Sequence, residues 1–239
     1  NTPAPTAKPI CQKQNTRLLG GKKAQKGDTM TVKTFTVGNM DNKCYLVTDD
    51  NSGDMALVDA SFAHKSFVEE ISSLKDKLKY IFLTHGHYDH ILSAKAIKDA
   101  TGAKVVIHKK DAICLSSPAF SLAANHALSQ QPLSADIICD DGDEIALGSL
   151  TFKVIYTPGH TVGSVCYECG DALFTGDTLF RLGVGRTDLP TGNTAKMIES
   201  LKKLYEINGD FEVFPGHGKP STLDVERSLN PFMKRAMGL

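Results

Sequence analysis

A four-layer α/β sandwich, two sheet halves with helices outside them in αβ/βα order, is the fold class the sequence predicts. Three observations predict it: alternating apolar strands open the patterned region, a helix–strand alternation follows, and a second strand-rich half closes on a helix. A chain of 239 residues, 41% hydrophobic and 23% charged, has enough apolar content to bury one large core.

Residues 1–29 carry Pro3, Pro5 and Pro9, six basic residues against one acidic, and almost no apolar period. They read as a flexible N-terminal extension outside the core, an expression remnant or a processed segment, with Met30 as a natural beginning and 30–239 as the folded domain. Val32, Phe35 and Val37, then Tyr45-Leu-Val and Met55-Ala-Leu-Val, mark three strands separated by the turn-rich Gly38-Asn39 and 49–53. Phe67, Val68, Ile71, Leu74 and Leu78 recur at helical spacing, and 80–84 is a short buried strand. A helix is expected from about His90 to Ala100 and a strand over 104–108. Residues 111–135 contain Pro118 and Pro132 with weak helical pattern, and read as a substrate-facing loop. Strands follow at 144–147, 150–156, 165–168 and 172–175, then a helix near 194–206 and a strand at 211–214.

Lys plus Arg and Asp plus Glu both number 27, which favours neither nucleic acid nor an anionic membrane, and points to a small-molecule partner. The apolar runs are too short to span a bilayer. Cys11, Cys44, Cys114, Cys139, Cys166 and Cys169 lack the density of a disulfide scaffold, so a reducing, cytoplasmic compartment is expected. Cys166-x-x-Cys169 has the spacing of half a zinc site or a redox pair, but with no second CxxC it reads as ordinary thiols in a hairpin.

The chemistry concentrates in Thr84-His-Gly-His-Tyr-Asp-His90, directly after a predicted strand. There a tight loop aims His85, His87, Asp89 and His90 at one point, and imidazole with carboxylate suits Zn, Fe or Mn. Thr157-Pro-Gly-His160-Thr161, Phe174-Thr-Gly-Asp177-Thr178 and Phe214-Pro-Gly-His217-Gly218 each place another ligand type just beyond a strand on a glycine-containing loop. Seven candidate ligands are enough for two metals. His64, His108 and His126 read as packing or surface residues, and of these only His126 is placed to touch substrate.

With these motifs, residues 30–239 resemble the metallo-β-lactamase superfamily, whose ordered signature is HxHxDH, then His, Asp and His. The resemblance implies a metallo-β-lactamase sandwich in which His85, His87 and His160 hold one metal, Asp89, His90 and His217 the second, and Asp177 bridges both. It also matches Asp59 to an early family Asp that orients ligands, although Ala60-Ser61 replaces the usual small residues after it. His90 where many true lactamases carry Arg, and Asp177 where many carry Cys, point away from those branches. The stretches 176–181 and 183–188, Pro215-Gly-His-Gly218, Thr222, Glu226-Arg227 and Asn230-Pro-Phe232 resemble the glyoxalase II group. The chain ends 22 residues after His217, without the helical C-terminal domain that supplies glutathione contacts in long glyoxalase II, so the resemblance is to the short, single-domain type.

That resemblance implies a metal-dependent thioester hydrolase with two divalent metals, zinc first and iron or manganese as alternatives, acting on thioesters such as S-lactoylglutathione. Coordination lowers the pKa of water from about 16 toward about 7, the metal stabilises the oxyanion, and Asp89 ligates, orients and accepts a proton. A thiolate of pKa about 8.5 leaves without a strong acid. The rival reading is a persulfide dioxygenase with one iron on His85, His160 and Asp177. Other hydrolases (lactamase, lactonase, phosphodiesterase or nuclease) and a non-catalytic metal binder complete the alternatives.

Overall fold

The computed structural model describes residues 12–19, 29–62 and 64–239. Along the chain lie β1 (Gln12–Leu19), β2 (Thr29–Val37), β3 (Asn42–Asp49), β4 (Met55–Val58), α1 (Lys65–Ser72), β5 (Leu78–Phe82), α2 (Tyr88–Ile91), α3 (Ala94–Thr101), β6 (Lys104–His108) and β7 (Ile137–Cys139). The second half holds β8 (Glu144–Leu147), β9 (Leu150–Tyr156), β10 (Val165–Cys169), β11 (Ala172–Gly176), β12 (Leu179–Phe180), β13 (Gly183–Val184), α4 (Thr194–Tyr205), β14 (Glu212–Pro215), β15 (Ser221–Thr222), α5 (Leu223–Leu229) and α6 (Pro231–Met237).

One sheet runs β1-β2-β3-β4-β5-β6-β7, antiparallel as far as β4 and parallel from there to β7. The other runs β15-β14-β11-β10-β9-β8. Strand alternation gives each sheet two apolar faces, and three clusters fill the gaps between four layers. Between the sheets, Phe82 stacks on Phe152 at 4.4 Å, with Tyr167, Phe174 and Phe214 around them. Phe67, Ile71 and Ile97 from α1 and α3 cover the outer face of the first sheet. Met197, Leu201 and Leu204, spaced along one stripe of α4, cover the second with Met233 of α6. The expected αβ/βα sandwich is the fold observed.

Two buried tyrosines cross the sandwich near its functional edge. The Tyr45 hydroxyl donates to the Pro215 carbonyl at 2.6 Å, and the Tyr167 hydroxyl donates to the Leu83 carbonyl at 2.9 Å. Each aromatic body sits in the core while its polar tip pins the start of a ligand-bearing loop from the opposite sheet.

Two expectations are corrected. The extension proposed over 1–29 does not hold for residues 12–19, which pair antiparallel with β2 from Gln12 opposite Thr36 to Leu19 opposite Thr29. A polar stretch satisfying its backbone on an open sheet edge leaves no apolar period to read; residues 1–11 and 20–28 lie outside the described residues. The single helix expected over 90–100 is two, because the Ser93 N–H leaves the helical ladder for the carbonyls of Ala60 and Ser61, at 3.0 Å each. The short β7, α5 and α6 carried too little period to be anticipated. Asn230 nonetheless caps α6 through its side chain, with Pro231 in the first turn.

Cys166 and Cys169 both lie on β10 and are buried, but an odd separation on a strand puts them on opposite faces, Cys169 between the sheets and Cys166 under α4. They cannot share one ion, and burial pushes their thiols up to about 11 and about 12. Cys11 lies outside the described residues. No helix among the described residues is long and apolar enough to cross a membrane.

Candidate metal centre

All seven candidate ligands follow the C-terminal ends of strands at one edge of the sandwich. β9 and β11 both run antiparallel to β10, and β14 runs parallel to β11, so the loops after β9, β11 and β14 open on the same edge. They carry His160, Asp177 and His217. From the other sheet, β5 delivers 83–87 and α2 to the same place. Gly216 makes room: a Cβ there would lie 2.3 Å from Asp177 Oδ1 and 2.8 Å from His90 Cε1.

The side chains assemble as three overlapping groups, His85-His87-His160, His85-His90-Asp177 and Asp89-His90-His217. His87 Nδ1 is 2.9 Å from His160 Nε2, and His90 Nε2 is 3.2 Å from His217 Nε2. Asp89 Oδ2 stands 3.4 Å from His217 Nε2 and 3.6 Å from His90 Nε2. Asp177 joins the groups: Oδ2 lies 3.4 Å from His160 Nε2 and 3.5 Å from His217 Nε2, while Oδ1 lies 3.5 Å from His90 Nε2. Ligands of a tetrahedral ion at about 2.1 Å stand about 3.4 Å apart, so these spacings fit shared cations. Two atoms support the fit independently: His85 Nε2 and Asp177 Oδ1 are buried with no hydrogen-bond partner. Leaving such atoms unpaired is unfavourable, and a cation satisfies both.

Partners behind the ligands fix their orientation. His90 Nδ1 is 2.8 Å from Asp59 Oδ2, and Asp59 Oδ1 accepts the Thr84 backbone N–H at 2.8 Å. Asp59 adopts φ 59°, a left-handed conformation that Asp tolerates better than most residues. His160 Nδ1 donates to the Arg186 carbonyl and His217 Nδ1 to the Met40 carbonyl, both at 2.8 Å, leaving each Nε2 for the centre. The Asn42 amide donates to Asp89 Oδ2 at 2.9 Å and to the Asp89 carbonyl at 3.1 Å. Asn42, Thr84, Asp111 and Thr161 are site residues that sequence reasoning missed. The rule that found the ligands, polar residues just beyond a strand end, would have flagged Asp111 after β6.

Of the remaining histidines, His108 is buried and stacks on Tyr156 at 4.5 Å, and His64 Nδ1 lies 2.9 Å from Ser66 Oγ. His126 packs against the Tyr88 ring at 4.6 Å. The 111–135 segment forms two 3-10 turns, 112–115 and 123–126, and packs Leu122 and Ala123 against Tyr88 of the HxHxDH loop.

Charge is divided unevenly. Burial, then the neighbouring His90 and His160, holds His85 well below its ordinary value, and burial with His160 brings His87 down to about 3. Burial acts the same way on His90 but is outweighed by Asp89, Asp177 and Asp59, which raise it to about 9. For His217, burial is outweighed by hydrogen bonds to Asp177 and Asp89, raising it to about 11. Asp89 is lowered to about 2, burial being overcome by His90 and His217, and Asp177 is held well below the carboxylate range by His90, His160 and His217. The His85-His87 side therefore offers neutral imidazoles, whereas His90 and His217 carry protons that ligation must displace. A raised pKa in the metal-free protein means that protons compete below it. Zinc affinity at the His90-His217 step is therefore expected to rise from about pH 6 to pH 8, by up to about tenfold per pH unit for each proton released. Calorimetry in buffers of different ionisation enthalpy counts those protons; affinity flat with pH at both steps would contradict this.

A family model described as Metallo-beta-lactamase superfamily matches residues 37–217. The chain belongs to the metallo-β-lactamase superfamily. Among curated relatives it is 30% identical to hydroxyacylglutathione hydrolase GloC of Haemophilus influenzae, over 85% of this chain and 98% of that one. Among solved structures it is similar to the BLEG-1 B3 metallo-beta-lactamase, with TM-score 0.76 and 29% identity over 84% of this chain and 99% of the other. It is also similar to ETHE1 from Myxococcus xanthus, with TM-score 0.69 and 29% identity over 84% and 83% of the two chains. A further likeness is to TTHA1623 in a di-iron-bound form, with TM-score 0.71 and 30% identity over 82% and 98%. In this superfamily the His/Asp cluster points to divalent metals and to a metal-dependent hydrolase.

Proposed function

We propose that this protein is a dinuclear metal-dependent thioester hydrolase of the short glyoxalase II-like type. The observation that carries the reading is Asp177, whose two carboxylate oxygens face His160, His217 and His90, so that one side chain serves both ligand groups. His85, His87 and His160 would hold one ion, Asp89, His90 and His217 the other, with Asp177 shared. The likeness to a protein solved with two irons supports a count of two; zinc is the favoured metal, with iron or manganese serving the same donor set. Bound there, two divalent cations supply a nucleophilic water at neutral pH and Lewis-acid stabilisation of an oxyanion.

The chain's own residues supply the rest. Asp89 is ionised throughout the neutral range, is oriented by Asn42, and sits 3.4 Å from Nε2 of the partly exposed His217. It is placed to orient the attacking water and accept its proton. A thiolate leaving group of pKa about 8.5 needs no strong acid, consistent with a site without a free lysine or protonated carboxyl among its ligands. The thioester choice is supported by the likeness to a hydroxyacylglutathione hydrolase together with the stretches 176–188 and 215–232. A small-molecule partner and a cytoplasmic setting belong to the same proposal.

An oxygenase reading, with one iron on His85, His160 and Asp177, has its own observation: His160 Nε2 lies 3.4 Å from Asp177 Oδ2 and His85 shares a ligand group with each of them, and the ETHE1 likeness adds support. The deciding experiment measures metal content and then tests S-lactoylglutathione, a β-lactam panel and glutathione persulfide with an oxygen electrode. Thioester hydrolysis without oxygen uptake is expected; oxygen uptake with the persulfide and an intact thioester would overturn the reading.

A further inference from the structure

The segment expected to face substrate begins with a residue that faces the metal centre from behind. Asp111 is 1% exposed, and its Oδ2 accepts the Gly86 N–H at 2.8 Å and the Thr161 hydroxyl at 2.7 Å. The Gly163 N–H donates to the same carboxylate. The seat exists only because residue 163 is glycine: a Cβ there would lie 2.4 Å from Asp111 Oδ1. Gly86 separates His85 from His87, and Thr161 follows His160. The three donors thus belong to the two loops, one from each sheet, that present the first ligand group. Thr161 Oγ1 is also 2.7 Å from Ser164 Oγ, which accepts the Thr161 N–H at 3.0 Å, so the 160–164 turn is organised around this carboxylate.

We propose that Asp111 is a positioning residue that locks the 84–87 loop to the 157–164 loop and so sets the spacing of His85, His87 and His160. Hydrogen bonds to a buried carboxylate are short and strong, and removing it strands buried donors on both loops at once. The second group does not depend on Asp111: Asn42 holds Asp89, Asp59 holds His90 and the Met40 carbonyl holds His217. Its effect is therefore confined to one metal step. The inference rests on the metal-dependent reading above, but not on any substrate.

The test is calorimetric titration of chelator-stripped full-length protein with zinc chloride, which needs no activity. Wild type is expected to take two equivalents, and Asp111→Asn to weaken one of them by about 10- to 100-fold, the usual effect of losing a partner behind a ligand, while the other stays within a few-fold. Thr161→Val, which removes one donor and keeps the carboxylate, should weaken the same step less, and it decides the question if Asp111→Asn does not fold. Asp49→Asn is the control. Asp49 is also buried and accepts from Ser149 N–H and the Ser52 hydroxyl, but at the far end of β3 from Asn42. Its substitution should lower stability without touching either zinc step. Two wild-type-like steps in Asp111→Asn, or equal weakening of both steps matched by Asp49→Asn, overturns the positioning role and leaves the hydrolase reading standing. A wild type that takes no zinc overturns both. A wild type with one equivalent is read on that single step by the same criterion.

Discussion

Asp177→Ala is expected to reduce kcat/KM for the proposed thioester hydrolysis by about 10³-fold or more, and to lower bound metal to at most one equivalent. Among the described residues Asp177 is the only carboxylate whose oxygens reach ligands of both groups, at 3.4 to 3.5 Å from His160, His217 and His90, and one of those oxygens is otherwise unpaired. Lewis-acid stabilisation supplied by a metal pair amounts to several kcal/mol, and each 1.4 kcal/mol is a factor of ten in rate. The substitution should also release His217, whose raised pKa owes most to the Asp177 hydrogen bond. Its titration in the metal-free variant, followed by NMR, should move toward the ordinary histidine range. Two retained metals with activity within tenfold of wild type would remove Asp177 from its bridging role.

Asp89→Ala should lower kcat by about 10² to 10⁴, the span attributed to a positioned proton acceptor, with a much smaller change in KM. Burial alone would raise this carboxyl, yet His90 and His217 hold it near 2, so it is ionised at every working pH. The Asn42 amide on Oδ2 fixes its direction. Because Asp89 also belongs to the His90-His217 group, metal content must be measured beside the kinetics. Loss of rate with the second metal still bound isolates the proton-handling role, whereas full rate with full metal would place that role elsewhere.

The candidate ligand set was legible because it obeys local rules. Each of His85, His160, Asp177 and His217 stands within a few residues of the end of a strand whose apolar pattern is visible, and glycines mark the loops. Asp59 was reached through its match to a family position, and it does sit behind His90 and Thr84. By contrast, Asn42 reaches Asp89 across 47 positions and Thr161 meets Asp111 across 50. Polar residues of this kind have no period, and only a fold that packs β3 beside the 214–218 loop, or β6 beside the loop after β9, makes them neighbours. The same holds for β1, whose strand character comes from the open edge of β2 rather than from its own composition, and for the break at Ser93, where a carbonyl from another element outcompetes the helical ladder.

By itself, then, the sequence determined the fold class and singled out the candidate ligand side chains, since apolar periodicity and strand-end loops are local properties of the chain. Tertiary structure alone decided that Asp177 stands between two ligand groups, that in the metal-free protein the pKa values of His90 and His217 are raised while those of His85 and His87 are lowered, and that Asp111 accepts hydrogen bonds from two loops. These depend on distances of a few ångströms between residues far apart in the chain, and on the loss of water around them. Coulombic and hydrogen-bond terms become large only when that geometry and that burial exist.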